Sequence, residues 1–249
     1  MSGMNGRPLT WPSWDRLAAG LSGGFVVALA FFPIYFGCGV LAESNASPWR
    51  LYADWELAIP FWPFMVVPYL SMFVLFVVPP LQLEAVELRD LARRLVVTSL
   101  LGGTVLLLLP TQMGFTERTD AGIWQGLYDG IYRVDNRFDM VPSFHVIYTA
   151  SILLSFIQVA TRRLRFVYAA WLVLVCASTV LTHRHHLLDV GAGLVIAVSA
   201  LALVPQLGPS DIQGALAQGG PHAIDRPRNR VLSLLRRGAR ASSVGCSRP

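Results

Sequence analysis

The sequence contains no lysine and few charged residues of any kind. All 20 basic residues are arginine, and charged residues make up 14% of the 249 residues, against 54% hydrophobic ones. A soluble domain is about 25% charged, so this composition excludes an ordinary soluble protein and is typical of a membrane protein. The net charge of +5 is therefore interpreted as a membrane feature, and we expect no nucleic-acid partner.

Cysteine is also scarce. Cys38, Cys176 and Cys246 lie far apart and have neither metal-ligand nor disulfide spacing. We assign them no function, and they indicate nothing about the redox compartment. The sequence contains no internal repeat.

Six hydrophobic stretches approach the roughly 20 residues that a bilayer-spanning helix needs. They are Ala18–Ala42, Ala58–Pro80, Leu95–Pro110, Val141–Ala160, Phe166–Thr182 and Leu187–Pro205. The predicted fold is an all-α, polytopic membrane protein with a six-transmembrane-helix bundle. We predict three segments: residues 1–17 as a cytoplasmic N-terminal segment, 18–206 as the catalytic membrane domain, and 207–249 as a basic tail without a packed fold.

The first stretch has an alternative interpretation as a signal peptide. Its apolar run exceeds the usual core of about 7–15 residues, which favours an uncleaved span.

Arginine placement predicts the orientation of the chain. Fifteen arginines lie before span one, between spans two and three, between spans four and five, or in the tail, and five lie in the other connections. Because cytoplasmic loops carry an excess of basic residues, both termini are predicted to be cytoplasmic, in a cell membrane. No acidic or basic residue lies between Glu56 and Glu84 or between Arg94 and Glu117, which weakens a transporter interpretation.

Four of the five histidines lie near span ends on the predicted non-cytoplasmic side, in two segments; the fifth, His222, is in the tail. In the first segment, Pro142 is predicted to begin span four, since proline suits the first helical position. The N–H groups of Ser143, Phe144 and His145 would then form an anion site at the helix start. The alternative is a capping serine beside an interfacial histidine.

The second segment contains His185 and Asp189, which are four residues apart and would share a helix face. An aspartate that accepts from one imidazole nitrogen leaves the other free to attack, and histidine can form a phosphohistidine. His145 could then protonate the leaving alkoxide. The alternative is a wet interfacial loop whose aspartate caps span six.

A zinc site is the other alternative for this segment. His183, His185, His186 and Asp189 could be ligands, but no histidine pair has the usual i, i+4 spacing of a helical zinc motif. We therefore predict no metal and no cofactor.

Together the segments resemble the type-2 phosphatidic acid phosphatase superfamily over about residues 90–205. The resemblance rests on Pro142-Ser143-Phe144-His145 and on His185-x-x-x-Asp189, with Ser178 upstream and Gly191 and Gly193 downstream. It implies metal-independent attack by His185, oriented by Asp189, with His145 as the acid and Ser143 binding phosphate. Soluble vanadium haloperoxidases share these motifs, but the six predicted spans argue against haloperoxidase activity in this chain.

The chain departs from this pattern at two places. The Lys-x6-Arg-Pro motif is not present, and Thr179 stands where an arginine usually follows the serine. Cations on the predicted site side that could replace them are Arg118, Arg133, Arg137, His183 and Arg184. We expect Arg184 and His183 to bind phosphate. Arg93 and Arg94 are interpreted as topology charges.

These residues predict hydrolysis of a lipid phosphate or polyprenyl pyrophosphate through a phosphohistidine. A lipid phosphotransferase similar to inositol phosphorylceramide synthase is the alternative, because Pro110-Thr111 and Ser178-Thr179 also resemble that subgroup. A non-catalytic membrane transporter or scaffold is a third hypothesis. The expected partners are membrane lipids and the substrate, and the sequence makes no prediction about the oligomeric state.

Overall fold

The structure is a computed structural model that describes residues 6–43, 48–134 and 141–204. Within those ranges the chain is helical, with only two isolated β-bridges, so the all-α prediction is confirmed. Arg137 and the predicted basic tail, residues 207–249, lie outside the described residues. The helices are α1 (Trp14–Glu43), α2 (Val66–Leu70), α3 (Pro79–Gln82), α4 (Ala85–Leu108), α5 (Gln125–Val134), α6 (Phe144–Val159), α7 (Arg162–Leu181) and α8 (Leu187–Leu203).

Helices α1, α4 and α7 are long and apolar enough to cross a membrane. Helices α6 and α8 are apolar but have 16 and 17 residues, which correspond to about 24–26 Å of helix. Four of the predicted spans agree with helices to within a few residues. Helix α4 begins ten residues before the predicted Leu95. The apolar-run criterion missed its first turns because they contain the polar residues from Glu87 to Arg94.

The predicted second span, Ala58–Pro80, is wrong as a continuous helix. The segment consists of the 3-10 turns Pro63–Met65 and Ser71–Phe76, with α2 between them and α3 after them, and a further 3-10 turn, Asp54–Ala58, precedes it. Its prolines each remove an N–H donor and disfavour helical geometry in the residue before them. They are Pro60, Pro63, Pro68, Pro79 and Pro80.

This broken segment nevertheless runs along α7 in the opposite direction. The N–H of Trp62 donates to the carbonyl of Leu181 at 2.9 Å, near the end of α7. Trp171 Nε1 donates to Ser71 Oγ at 2.8 Å, and Tyr168 Oη donates to Gln82 Oε1 at 2.8 Å. The chain therefore passes from one end of the helical bundle to the other without forming one helix.

Helix α6 is the central helix and is buried on nearly all faces. Its apolar side chains Ile147, Ile152 and Phe156 are almost fully enclosed. Gly102 of α4 allows this close packing, because a Cβ there would lie 2.9 Å from the ring of Phe144. Small residues at helix contacts are a common means of packing in membrane proteins.

The bundle has two ends that differ in composition. We call "the site end" the one where α1, α4 and α7 finish and α6 and α8 begin, and "the opposite end" the other. At the opposite end, Arg7 pairs with Glu87 and Arg16 with Glu84. Arg94 is 1% exposed, and its guanidinium donates to the carbonyl of Val204 at 2.7 Å and to Ser155 Oγ at 2.9 Å.

Arg94 therefore corrects one expectation. It lies away from the site end, as predicted, but it is not simply a charge at the membrane surface. Its guanidinium is buried and fastens the end of α8 to α6, so its role in this structure is to connect helices.

Exposed tryptophans mark both ends of the bundle. Trp11 and Trp14 are exposed at the opposite end, and Trp49, Trp55 and Trp62 at the site end. Tryptophan is enriched at the two interfaces of a membrane, so this distribution agrees with a bundle that crosses one.

Candidate active site

The fold brings the two histidine segments into direct contact at the site end. The N–H of Ser143 donates to the carbonyl of Asp189 at 3.1 Å. Just before it, the N–H of Val141 donates to Thr111 Oγ1 at 3.1 Å, which attaches this segment to the chain that follows α4. Gly193 permits the approach of α8 to α6, since a Cβ there would lie 3.0 Å from the carbonyl oxygen of Ser143.

Helix α6 begins at Phe144, so the prediction that Pro142 is its first residue is wrong. Ser143 is the N-cap, with extended backbone, and its Oγ accepts the N–H of Val146 at 3.4 Å. A serine cap satisfies one of the helix's free N–H groups and so determines where the helix starts. His145 consequently lies in the first turn, as expected.

Tyr69 contacts His145 and was not identified from the sequence. The two rings stack with centroids 4.2 Å apart, and Tyr69 Oη lies 3.4 Å from Nδ1 of His145. Tyr69 is 1% exposed. The signal in the sequence was weak, because Tyr69 belongs to an apolar stretch that has the composition of an ordinary span.

His185 and Asp189 form the predicted pair, but not on a helix face. Helix α8 begins at Leu187, and His185 lies in the turn before it. His185 Nδ1 is 3.3 Å from Asp189 Oδ2, which also accepts the N–H of His186 at 2.7 Å. The same oxygen of Asp189 therefore both caps α8 and contacts His185. His185 is 5% exposed and Asp189 is 2% exposed, so this is not a wet loop.

The imidazoles of His145 and His185 lie close to one another at the site end. Their ring centroids are 5.9 Å apart and the rings are inclined by 56°. A group placed between them can lie within the hydrogen-bond reach of both rings, about 2.6–3.2 Å from a nitrogen of each.

His183 has left-handed backbone geometry, with φ of 56°. Its Nε2 lies 2.9 Å from the carbonyl of Ile59, and its ring stacks on Phe115 at 4.1 Å. A carbonyl only accepts, so Nε2 carries a proton. Burial lowers the pKa of His183 below its ordinary value, which favours a neutral ring at pH 7. These contacts hold the turn together.

Arg184 is buried in the same turn, at 2% exposure. Its guanidinium carbon lies 5.1 Å from the centroid of the Tyr132 ring, on α5. Its backbone N–H donates to the carbonyl of Thr179 at 3.0 Å. Among the other expected cations, Arg118 pairs with Asp120 at 2.8 Å and Arg133 is exposed on α5.

His186 and Glu56 complete the site end. Gly114 N–H donates to His186 Nε2 at 3.1 Å, and Nδ1 lies 3.4 Å from Glu56 Oε2. Burial alone would raise the pKa of Glu56, but the backbone donors of Ala53 and Leu187, together with His186, lower it. In the sequence, Glu56 stands out only as the start of the uncharged stretch that ends at Glu84, and no motif indicates its contacts with α8.

A sequence profile of the PAP2 superfamily matches residues 61–203, which is more than half of the chain. The chain belongs to the PAP2 superfamily. No curated protein and no solved structure matches the chain significantly. Members of this superfamily are phosphatases, so the protein is assigned to membrane enzymes that act on phosphate esters.

The PAP2 match begins at residue 61, whereas the resemblance carried by the sequence motifs begins near residue 90. The additional part is the broken segment, which contributes Tyr69 to the site. The family region therefore includes the irregular chain as well as the motif-bearing helices.

The candidate zinc ligands His183, His185, His186 and Asp189 can be compared with their contacts in the structure. Within the described ranges, no group of three or more His, Cys, Asp or Glu side chains is arranged to hold a metal ion. His183 and His186, two of the four ligands considered, are directed to a backbone carbonyl and to a backbone N–H.

Proposed function

We propose that this protein is an integral membrane phosphatase that hydrolyses a lipid phosphate or polyprenyl pyrophosphate through a phosphohistidine at His185. The observation that carries the proposal is the pair of imidazoles. His145 and His185 have ring centroids 5.9 Å apart, and Asp189 lies on the Nδ1 side of His185.

The first step is transfer of the phosphoryl group to His185. Nδ1–H of His185 donates a hydrogen bond to Asp189, so the lone pair of the ring is on Nε2. Nε2 attacks phosphorus, the ester P–O bond breaks, and the electron pair leaves with the oxygen of the lipid. His145 gives that oxygen a proton, so a neutral alcohol departs, or a phosphomonoester if the substrate is a pyrophosphate.

The second step is hydrolysis of the phosphohistidine. His145, now without its extra proton, takes one from water while the water oxygen bonds to phosphorus. The P–N bond breaks, and its electron pair returns to Nε2 of His185. The sum is one phosphate ester and one water converted into one alcohol and one inorganic phosphate.

Arg184 is the best-supported group for stabilising the phosphate charge. Its backbone lies next to the Ser178-Thr179 pair, because the N–H of Arg184 donates to the Thr179 carbonyl. A guanidinium here supplies positive charge beside the position where the superfamily pattern expects an arginine, and it suits the charge of a pentavalent phosphorus. The Ser143 hydroxyl and His183 are weaker candidates, since both side chains already serve the fold.

A substrate with an apolar chain suits this location. Exposed aromatic side chains, including Trp55, Trp62 and Phe64, lie in the segment that leads from the site end into the bundle. Such side chains favour the boundary between lipid and water. The arginine distribution predicts that this end faces away from the cytoplasm.

The test is a phosphate-release assay on purified protein in detergent. The substrates are a panel of lipid phosphates, a polyprenyl pyrophosphate and diacyl phospholipids, each with and without inositol and with EDTA. The unmutated protein is expected to release phosphate in EDTA. His185→Ala should reduce the rate by about 10³-fold or more, and His145→Ala by roughly 10²–10⁴-fold. His222→Ala, in the tail, is the control and should not change the rate.

Three results would contradict this proposal. Full activity of His185→Ala would show that His185 is not the nucleophile. Strong inhibition by EDTA would favour a metal enzyme. Headgroup transfer to inositol without free phosphate would assign the transferase alternative.

A further inference from the structure

Glu56 is a buried carboxylate that comes from a different part of the chain from α8 but contacts its first turn. It belongs to the 3-10 turn Asp54–Ala58 and is 5% exposed. Its Oε2 accepts the N–H of Leu187, the first residue of α8, at 2.9 Å. Its Oε1 accepts the N–H of Ala53 at 3.0 Å.

The third neighbour of Glu56 is the ring of His186, 3.4 Å from Oε2 to Nδ1. Because the N–H of Gly114 donates to Nε2 of this ring, Nε2 carries no proton and Nδ1 carries it. Burial lowers the pKa of His186, so the neutral ring with its proton on Nδ1 is favoured at pH 7. Glu56 therefore accepts two backbone N–H groups and lies beside Nδ1–H of His186, which is close but is not aligned for a hydrogen bond.

The same turn carries the reacting pair. His185 immediately precedes His186, and Oδ2 of Asp189 accepts the backbone N–H of His186 at 2.7 Å while it contacts Nδ1 of His185. The first turn of α8 is thus held by two carboxylates, Asp189 from within and Glu56 from the loop after α1. A shift of residues 186 and 187 would move Asp189 relative to His185.

We propose that Glu56 is a positioning residue of the reaction, which holds residues 186 and 187 so that Asp189 keeps His185 in its attacking orientation. The role of His185 rests on the proposed function, whereas the placement rests on the contacts of Glu56. Glu56 itself touches no reacting atom.

A glutamine cannot replace Glu56, because all three neighbours are donors. A carboxylate accepts at both oxygens, but an amide has one oxygen and one NH₂ group. In one orientation the NH₂ of Glu56→Gln faces the N–H of Leu187 and pushes the first turn of α8 away. In the other it faces the N–H of Ala53, which displaces the side chain from its own 3-10 turn and shifts the oxygen that Leu187 needs. The size of the side chain is almost unchanged, so the substitution separates charge and hydrogen bonding from packing.

The experiment compares Glu56→Gln with Asp54→Asn. Asp54 lies in the same 3-10 turn, but its side chain is 85% exposed and pairs with Arg50. For each variant kcat and KM are measured on the lipid phosphate hydrolysed best, together with the melting temperature. The ring nitrogens of His185 are followed by ¹⁵N NMR in micelles, assigned with His185→Gln.

We expect Glu56→Gln to lower kcat by about tenfold or more with KM changed by less than about twofold, since small misplacement of a reacting group is costly. The His185 resonances should shift in Glu56→Gln and not in Asp54→Asn. Unchanged kcat and unchanged His185 resonances would overturn the proposal. So would a loss of activity that only follows the amount of folded protein. If the unmutated protein releases no phosphate, the proposed function fails, and the NMR comparison alone then decides the positioning.

Discussion

The two ends of the bundle both bury charged groups but satisfy them differently. At the opposite end, arginines meet carboxylates and helix ends directly, as in the pairs of Arg7 with Glu87 and Arg16 with Glu84. At the site end, the buried carboxylates Glu56 and Asp189 accept backbone N–H groups and contact imidazoles. The buried cation Arg184 lies against the face of an aromatic ring.

This difference separates contacts that stabilise the fold from contacts that position the candidate reacting groups. A guanidinium bonded to carboxylates and carbonyls is neutralised within the protein and stabilises the fold. At the site end, the buried carboxylates instead accept N–H groups of the turn that carries His185 and so hold that turn in place. The same residue type thus has different consequences at the two ends.

The strongest way to break this comparison is to remove one buried arginine from each end. Arg184→Met should lower kcat/KM by roughly 10²–10³-fold, the usual effect of losing a group that stabilises transition-state charge. Arg94→Met should lower the melting temperature by roughly 5–10 °C, because two charge-assisted hydrogen bonds are lost, with little change in kcat/KM of the folded protein. The readouts are steady-state kinetics and thermal unfolding in detergent.

The two arginine variants are controls for one another. If Arg94→Met lost activity without losing stability, or Arg184→Met lost stability without losing activity, the division between the ends would be wrong.

A second prediction concerns the contact of α8 with α6 at the site end. Gly193→Val should push α8 away from the carbonyl of Ser143, 3.0 Å from the added Cβ, and so separate His185 from His145. We expect kcat to fall about tenfold, since the reacting groups need close alignment. Gly191→Val is the matched control, because a Cβ at Gly191 meets nothing within 4 Å.

Steady-state kinetics on both glycine variants, with the melting temperature of each, distinguish the outcomes. Equal activities of the two variants would show that the close approach at Gly193 does not position the histidines.

The smallest expected effect is a dependence of stability on pH that comes from the site end. Burial lowers the pKa of His183 and of His186 below their ordinary value of 6.5. The unfolded chain therefore gains protons first as the pH falls, so the stability is present above about pH 6.5 and is lost below it. The melting temperature should decrease between pH 7.5 and pH 5.5.

Within the described ranges the opposite end contains no histidine, so it should contribute nothing to this loss. His183→Asn, with a residue type that tolerates left-handed backbone, should reduce the pH dependence. A melting temperature that stays constant or rises on acidification would contradict the prediction.

Much of the fold was predictable because long apolar runs determine helices locally. The helices α1, α6, α7 and α8 agree closely with predicted stretches. The segment from residue 58 to residue 80 was not predictable by the same rule, since its apolar composition satisfied the span criterion while its prolines prevented a helix. Proline spacing was the signal that should have carried more weight there.

The candidate site was predictable in part. His145, His185 and Asp189 follow from short motifs, and their meeting at one end was expected from the predicted topology. The helix-face argument for His185 and Asp189 reached the right pair for an incomplete reason, since the contact comes from the turn before α8. Tyr69 was missed and Glu56 was overlooked because neither belongs to either motif.

The sequence by itself determined the all-α class, and it indicated the membrane character and the candidate catalytic histidines and aspartate. These depend on properties of neighbouring residues: the length of apolar runs, the composition of the charged residues and the spacing within a motif. The tertiary structure alone decided which partners orient those residues. Tyr69 reaches His145 across 76 positions and Glu56 reaches Leu187 across 131, and contacts at such separations exist only once the helices have packed and excluded every other arrangement.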